Sequence, residues 1–205
     1  AVVTTYPAQG SRNIGDGLIS ESLKKLILEK EPDAKVDFVW RAEDWARAVP
    51  TLEHANHVFF AGLAIRPSMH EREYTFLRRF LETGIPHSVH AAGTDLPVHR
   101  KNDLLEDFLP ETIHLLRLID RTATVFTTRG VLSQEAMEGL GLSAPRFVGD
   151  IAFADAHFED RKFEADVPIH RIVVSDPHRA KTYRSSFVEL VNDLRSTFPR
   201  ADLRV

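Results

Sequence analysis

Three short clusters in this 205-residue chain carry residue types that could do chemistry. The first is Asn13-Ile14-Gly15-Asp16, between an apolar stretch and a helix-periodic one. Gly15 lets a backbone come close, and the free N–H groups of a helix start can donate to a ligand. No Gly-Lys-Ser/Thr follows, and Gly10, Gly15 and Gly17 do not give G-x-G-x-x-G spacing, so neither nucleotide loop is present. A carboxylate at Asp16 would repel a phosphate placed on those N–H groups. It suits sugar hydroxyls, as hydrogen-bond acceptor or general base. The competing expectation is that Asp16 only caps the helix.

The second cluster is Thr127-Thr128-Arg129-Gly130-Val131-Leu132-Ser133-Gln134-Glu135. A guanidinium at the end of a strand grips a phosphate or carboxylate bidentately. Alternatively, Arg129 pairs with Asp150 or Glu135 as scaffold. The third cluster is Asp176-Pro177-His178-Arg179. Two cationic or protonatable groups at a strand exit make an anion site; the other reading is a solvated turn. His87 and His90 are three apart, which in a strand puts them on opposite faces, so a shared metal ion is not expected. His54, His57 and His70 show no ligand spacing. Trp40 and Trp45 read as packing residues.

These clusters need elements to hold them, and strands alternate with helices along the whole chain. Strands are expected at Ala1–Thr5, Val36–Trp40, His57–Ala61, Pro86–Ala91, Ala123–Thr127, Arg146–Val148, Ile169–Ser175 and Ala201–Val205. A helix is expected from Asp16, with Leu18, Ile19, Leu23, Leu26 and Ile27 on one face and Pro32 as its stop. A short helical piece covers Asp44–Val49. Another helix starts near Pro67 and carries Met69, Leu77, Phe80 and Leu81 to Gly84. Leu104–Leu118 is helical and split by Pro110, Val131–Leu140 ends at Gly141, and Lys181–Thr197 turns Phe187, Leu190, Val191 and Leu194 inward. The alternation predicts an α/β, Rossmann-like, mainly parallel sheet with helices on both faces. Ligands then bind where loops leave the carboxyl ends of the strands. Residues 154–168 are charged and aperiodic and read as a linker. It would join an N-terminal lobe, 1–153, to the start of a second α/β lobe, 169–205, expected to be incomplete because the sequence stops inside a strand.

Composition narrows the classes. A net charge of −4 offers no basic field for nucleic acid. The absence of cysteine excludes disulfides, thiolate metal sites and a cysteine nucleophile, and fits a cytoplasmic protein. No apolar run approaches the roughly 20 residues that span a bilayer.

Together the pieces resemble the polysaccharide pyruvyl transferases over roughly residues 1–175. The matching features are the Asn13-Ile14-Gly15-Asp16 turn, a strand ending in Phe60-Ala61-Gly62-Leu63, and Ala92-Gly93 in place of the family's Gln-Gly turn. Most specific is the ordered series Arg129 to Ser133, Leu140-Gly141, then Asp150-Ile151-Ala152-Phe153. The family's glycine run is shortened here to Ala61-Gly62. The resemblance implies a GT-B-like lobe and transfer of a pyruvyl group from phosphoenolpyruvate to two hydroxyls of a sugar, forming a ketal. The acceptor would be a sugar or a nucleotide- or lipid-linked sugar of a cell-surface glycan. Asp16 would be the base, Asn13 and Gly15 would shape the acceptor pocket, and Arg129, His178 and Arg179 would hold the donor anions, with Ser133 a further substrate-binding residue. No metal or organic cofactor is required, and a homo-oligomer is left open. The alternatives are a GT-B-like glycosyltransferase using a nucleotide-sugar, and a truncated lobe that binds a glycan or partner without catalysis.

Overall fold

The structure, a computed structural model, describes residues 1–7, 13–94, 104–143, 145–154, 168–175 and 180–205. It divides into two compact units, Ala1–Asp160 and Arg161–Val205.

In the first unit β1 (Val2–Thr4), β2 (Phe38–Trp40), β3 (Val58–Ala61), β4 (Ala64–Ile65), β5 (His87–Thr94), β6 (Phe126–Thr128) and β7 (Arg146–Phe147) form one sheet. The order is β2-β1-β3-β5-β6-β7, with β4 added alongside β5, and every pairing is parallel. The Rossmann-like α/β expectation therefore holds. The chain moves from β1 outward to β2, then returns to the other side of β1 at β3. That reversal opens a crevice at the carboxyl ends of β1 and β3.

Alternation along the strands builds two cores. Val3, Val39, Val58, Phe60, Val89 and Phe126 face one side. There they meet Ala48 and Leu52 of α2 (Trp45–Leu52), Met69 of α3 (Met69–Arg72), and Leu77 and Phe80 of α4 (Leu77–Glu82). Leu115, Leu116 and Ile119 of α6 (Pro110–Thr122) and Ala136 and Met137 of α7 (Val131–Gly139) complete that layer. Val2 and Ala61 face the other side, against Ile19 and Leu23 of α1 (Ile14–Lys30) and Ile151 and Ala152 of a 3-10 turn, Ile151–Ala154.

Two departures from expectation bear on the site. The helix predicted from Pro67 to Gly84 is instead two short helices, α3 and α4, and an unexpected strand, β4, precedes them. Gly62, with φ at +73°, turns the chain out of β3, and β4 then pairs with the second half of β5. A wide turn in which Tyr74 N–H donates to the Met69 carbonyl closes α3, leaving Tyr74 fully buried with its hydroxyl on the Ala64 N–H. The Leu104–Leu118 segment does split at Pro110, which begins α6 after α5 (Leu104–Asp107).

The second departure is a bulge in β5. The β5–β6 register slips between Val89 and Ala92, and Ala91 sits at φ 58°. Thr127 Oγ1 accepts the displaced Ala91 N–H at 2.9 Å. A left-handed alanine stores about 1–2 kcal/mol, and the bulge re-aims Ala92, Gly93 and Thr94 toward α7. A β-branched residue cannot adopt this backbone without more strain. Ala91→Val is therefore expected to lower unfolding free energy by about 1–3 kcal/mol in denaturant titration, while Ala91→Gly stays within about 1 kcal/mol of the parent.

The second unit is a βαβ module: β8 (Arg171–Val173), α8 (Ala180–Thr197) and β9 (Asp202–Arg204), with β8 and β9 parallel. Phe187, Val191 and Leu194 are half-buried, but Leu190, expected inward, is exposed. Two strands and one helix do not enclose a full helix face. Of the expected linker, 155–167 lies outside the described residues.

Candidate functional site

Asn13 supplies the start of α1. Its backbone is extended, at φ −86° and ψ 115°, and its side-chain oxygen accepts the Gly15 N–H at 3.0 Å. A Cβ on Gly15 would stand 3.3 Å from that oxygen, so glycine leaves room for the capping side chain. Asn13, not Asp16, is thus the cap. Asp16 lies in the first turn, half-buried, where a carboxylate is favoured by the helix dipole.

The position of that turn is fixed by a chain of hydroxyls that periodicity does not reveal. Ser20 Oγ donates to the Asp16 carbonyl at 2.9 Å. Because a hydroxyl has one proton, Thr4 Oγ1 must then be the donor in its short bond to Ser20 Oγ. Thr4 Oγ1 in turn accepts the Tyr6 N–H at 3.0 Å. Thr4 and Ser20 are buried. The end of β1, the start of its loop and the first turn of α1 are therefore locked to one another.

Arg129 leaves β6 on the same edge of the sheet, since β1 and β6 run parallel in one sheet. Its N–H donates to the Ala92 carbonyl at 3.0 Å. Its guanidinium lies directly on Gly93: a Cβ there would fall 2.2 Å from Arg129 Nε and 2.7 Å from Cζ. Arg129 Nη1 stands 3.8 Å from Asp150 Oδ2, with Arg129 45% and Asp150 23% exposed. Asp150 also accepts the Ala152 N–H at 3.0 Å, starting the 3-10 turn that packs on α1. The ion pair is long and partly solvated, so it contributes about 0–1 kcal/mol. It orients the guanidinium without saturating its donors.

Ser133, on α7, is buried. Its Oγ accepts the Thr94 N–H at 3.2 Å, so the structure places it under the end of β5, holding the strand that carries Gly93. His178 and Arg179 lie outside the described residues.

Sequence reasoning passed over the polar patch on the α1 face of β3 and β5. The buried Ser88 Oγ lies 3.0 Å from His57 Nε2 and 2.9 Å from His90 Nε2, with Phe59 between the two rings. The hydroxyl has one proton and can donate to only one of the two rings, so at least one ring donates to it. His90 also lines a cavity of about 360 Å³ with Thr127, Gly149, Asp150 and Phe153. His87, on the opposite face, stacks edge-on with Phe60 and Phe80 and bonds the Ile85 carbonyl through Nδ1. The i, i+2 spacing of Ser88 and His90 in one strand was the available signal; His57 joins them only through the pairing of β3 with β5.

Burial pushes the imidazoles of His57, His87 and His90 below the ordinary histidine value; His87 adds to the effect on His57, and His57 to that on His90. The unfolded chain therefore takes up protons at a higher pH than the folded unit. The stability these rings contribute is complete above the ordinary histidine value of about 6.5 and is lost as pH falls below it. The thermal midpoint is expected to drop steadily between about pH 7 and pH 5. A midpoint unchanged across that window would contradict the neutral burial of these rings.

A further cavity, of about 870 Å³, opens at the opposite edge, among Ala1, Asp33, Lys35, His54 and Asn56. Strands begin there, which is the wrong end of a parallel sheet for ligand chemistry.

Among known proteins, a family model described as Polysaccharide pyruvyl transferase matches residues 13–199. No curated protein and no solved structure gives a significant match.

Proposed function

Because the chain belongs to the polysaccharide pyruvyl transferase family, we propose that it takes part in moving a pyruvyl group from phosphoenolpyruvate to a sugar of a cell-surface glycan. The observation that supports this reading is the shared edge. The Asn13–Asp16 turn and the Arg129 turn leave one parallel sheet at the same end.

The reaction has definite needs. Protonation of the terminal enol carbon gives an oxocarbenium-like centre at the carbon bearing phosphate and carboxylate. One sugar hydroxyl attacks that centre and yields its proton to a base. The carbon–phosphate oxygen bond breaks, phosphate leaves, and the second hydroxyl closes the ketal. The products are the pyruvyl ketal and inorganic phosphate. Asp16 is assigned to the acceptor hydroxyls as base, with Asn13 and Gly15 shaping the pocket. Arg129 is assigned to the donor anions, where a charge-assisted pair is strongest. Gly93 gives it space, Asp150 pairs with it, and Ser133 fixes the end of β5 that carries Gly93. The scheme needs no metal or organic cofactor. A GT-B-like two-lobe architecture and a cytoplasmic location belong to the same proposal. Among the described residues no helix is long and apolar enough to cross a membrane.

Mass spectrometry of glycan acceptors incubated with the longest native chain and phosphoenolpyruvate tests this. The expected product has gained one pyruvyl ketal, with one inorganic phosphate released per ketal. Transfer of a sugar from a nucleotide-sugar, with no ketal from phosphoenolpyruvate, would overturn it.

A further inference from the structure

Beside the Asn13–Asp16 turn, on the flank of α1 that faces the edge strand β2, lies a cavity of about 630 Å³ that the scheme above does not use. Its size is that of a small-ligand site. One wall is aromatic. Val2 pairs with Phe38 and Thr4 with Trp40, so Phe38 and Trp40 point to the α1 side of the sheet. Tyr6, two residues beyond Thr4, closes the wall. Its ring lies on Gly17, where a Cβ would come within 3.2 Å, so glycine lets the ring rest against the helix. The other wall is Ile14 and Leu18, one helical turn apart. They are 84% and 43% exposed. Leu18 was expected in the core and Trp40 was expected to pack; Trp40 is instead 38% exposed, and both line this space.

The rim decides the ligand. Among the described residues, its charged lining is Glu21 and Glu43, with neither lysine nor arginine. Two neighbouring cations already attend those groups: Lys24 is 4.0 Å from Glu21 and 5.6 Å from the Phe38 ring centroid, and Arg47 is 3.7 Å from Glu43. A phosphate or nucleotide diphosphate would meet two carboxylates. A neutral sugar ring fits both surfaces, laying its C–H face on the aromatic wall and donating hydroxyls to Glu21 and Glu43.

The geometry points to a second acceptor subsite here, holding a neutral sugar unit next to the one modified at Asp16. This rests on the pyruvyl transferase reading for the position of the modified unit. Asp16 lies two residues from Ile14 and from Leu18, which turns it to the far flank of a helix about 10 Å across. An acceptor of more than one sugar unit is thus needed to reach from Asp16 into the cavity.

Calorimetric titration with glycans of one, two and three neutral hexose units, without phosphoenolpyruvate, tests the subsite. The longer glycans are expected to bind about tenfold more tightly than the single unit. Trp40→Ala should erase that gain, and Trp40→Phe should keep most of it. Circular dichroism checks that the fold persists in both variants. Affinity independent of glycan length, or a gain that survives Trp40→Ala, would overturn the subsite. So would a short prenyl phosphate that displaces the longer glycans through Trp40, since the cavity would then hold a lipid. Trp40-dependent glycan binding with no ketal formed would leave the subsite standing and remove the pyruvyl transferase reading. Ketal formation with no Trp40 dependence would do the reverse.

Discussion

Asp16→Asn is expected to cut ketal formation by about 10²–10⁴-fold, the range contributed by a positioned general base. Asparagine keeps the shape and the hydrogen-bonding reach of the side chain but accepts no proton. The fold should survive. The cap of α1 belongs to Asn13, and the hydroxyl chain through Thr4 and Ser20 ends on the backbone carbonyl of residue 16, which the substitution retains. Loss of the carboxylate at the helix N-terminus removes only about 0.3–1 kcal/mol. Initial rates of phosphate release, read beside the thermal midpoint, separate the two effects. An unchanged rate would retire Asp16 as the base.

Gly93→Ala is expected to weaken phosphoenolpyruvate binding by about 10–100-fold, the equivalent of one or two lost charge-assisted hydrogen bonds. The added methyl would occupy the place of the Arg129 guanidinium, so the side chain must leave. That displacement is mild for folding because the arginine is long, flexible and 45% exposed. Stability should stay within about 1 kcal/mol. Added to Arg129→Ala, the same change should do little more, since both act through one guanidinium. A large stability loss with donor affinity unchanged would show that Arg129 serves only as scaffold with Asp150.

Much of the frame was legible in the chain. Apolar runs bounded by Gly and Pro located the strands and helices, because local periodicity and turn chemistry are local properties. Pro110 and Gly141 marked a helix start and a helix end for the same reason. The order of strands then placed Arg129 and Asp16 on one edge. What stayed hidden depends on residues distant in sequence. Nothing near Ala91 announces a left-handed alanine; the bulge follows from pairing with β6 and the Thr127 hydroxyl, 36 residues on. The start of α1 was expected near Asp16, with a cap there only as the competing reading, because Asn13 and Asp16 are both good capping residues and only backbone geometry distinguishes them. Gly93 read as a turn glycine, whereas its meaning is the guanidinium lying on it. Trp40 read as packing, yet an edge strand beside the start of a helix leaves one side of the ring open. The serine between His57 and His90 looked incidental until β3 and β5 were paired.

The central claim is that donor and acceptor meet at the carboxyl edge of this one sheet. Backbone amide shift mapping by NMR tests it directly, with phosphoenolpyruvate and a glycan acceptor added separately. The donor is expected to move the amides of Gly93, Thr94, Arg129 and Gly130. The acceptor should move those from Asn13 to Leu18. Donor shifts concentrated instead around Asp33 to Asp37 and His54 to His57, at the opposite edge, would contradict the account.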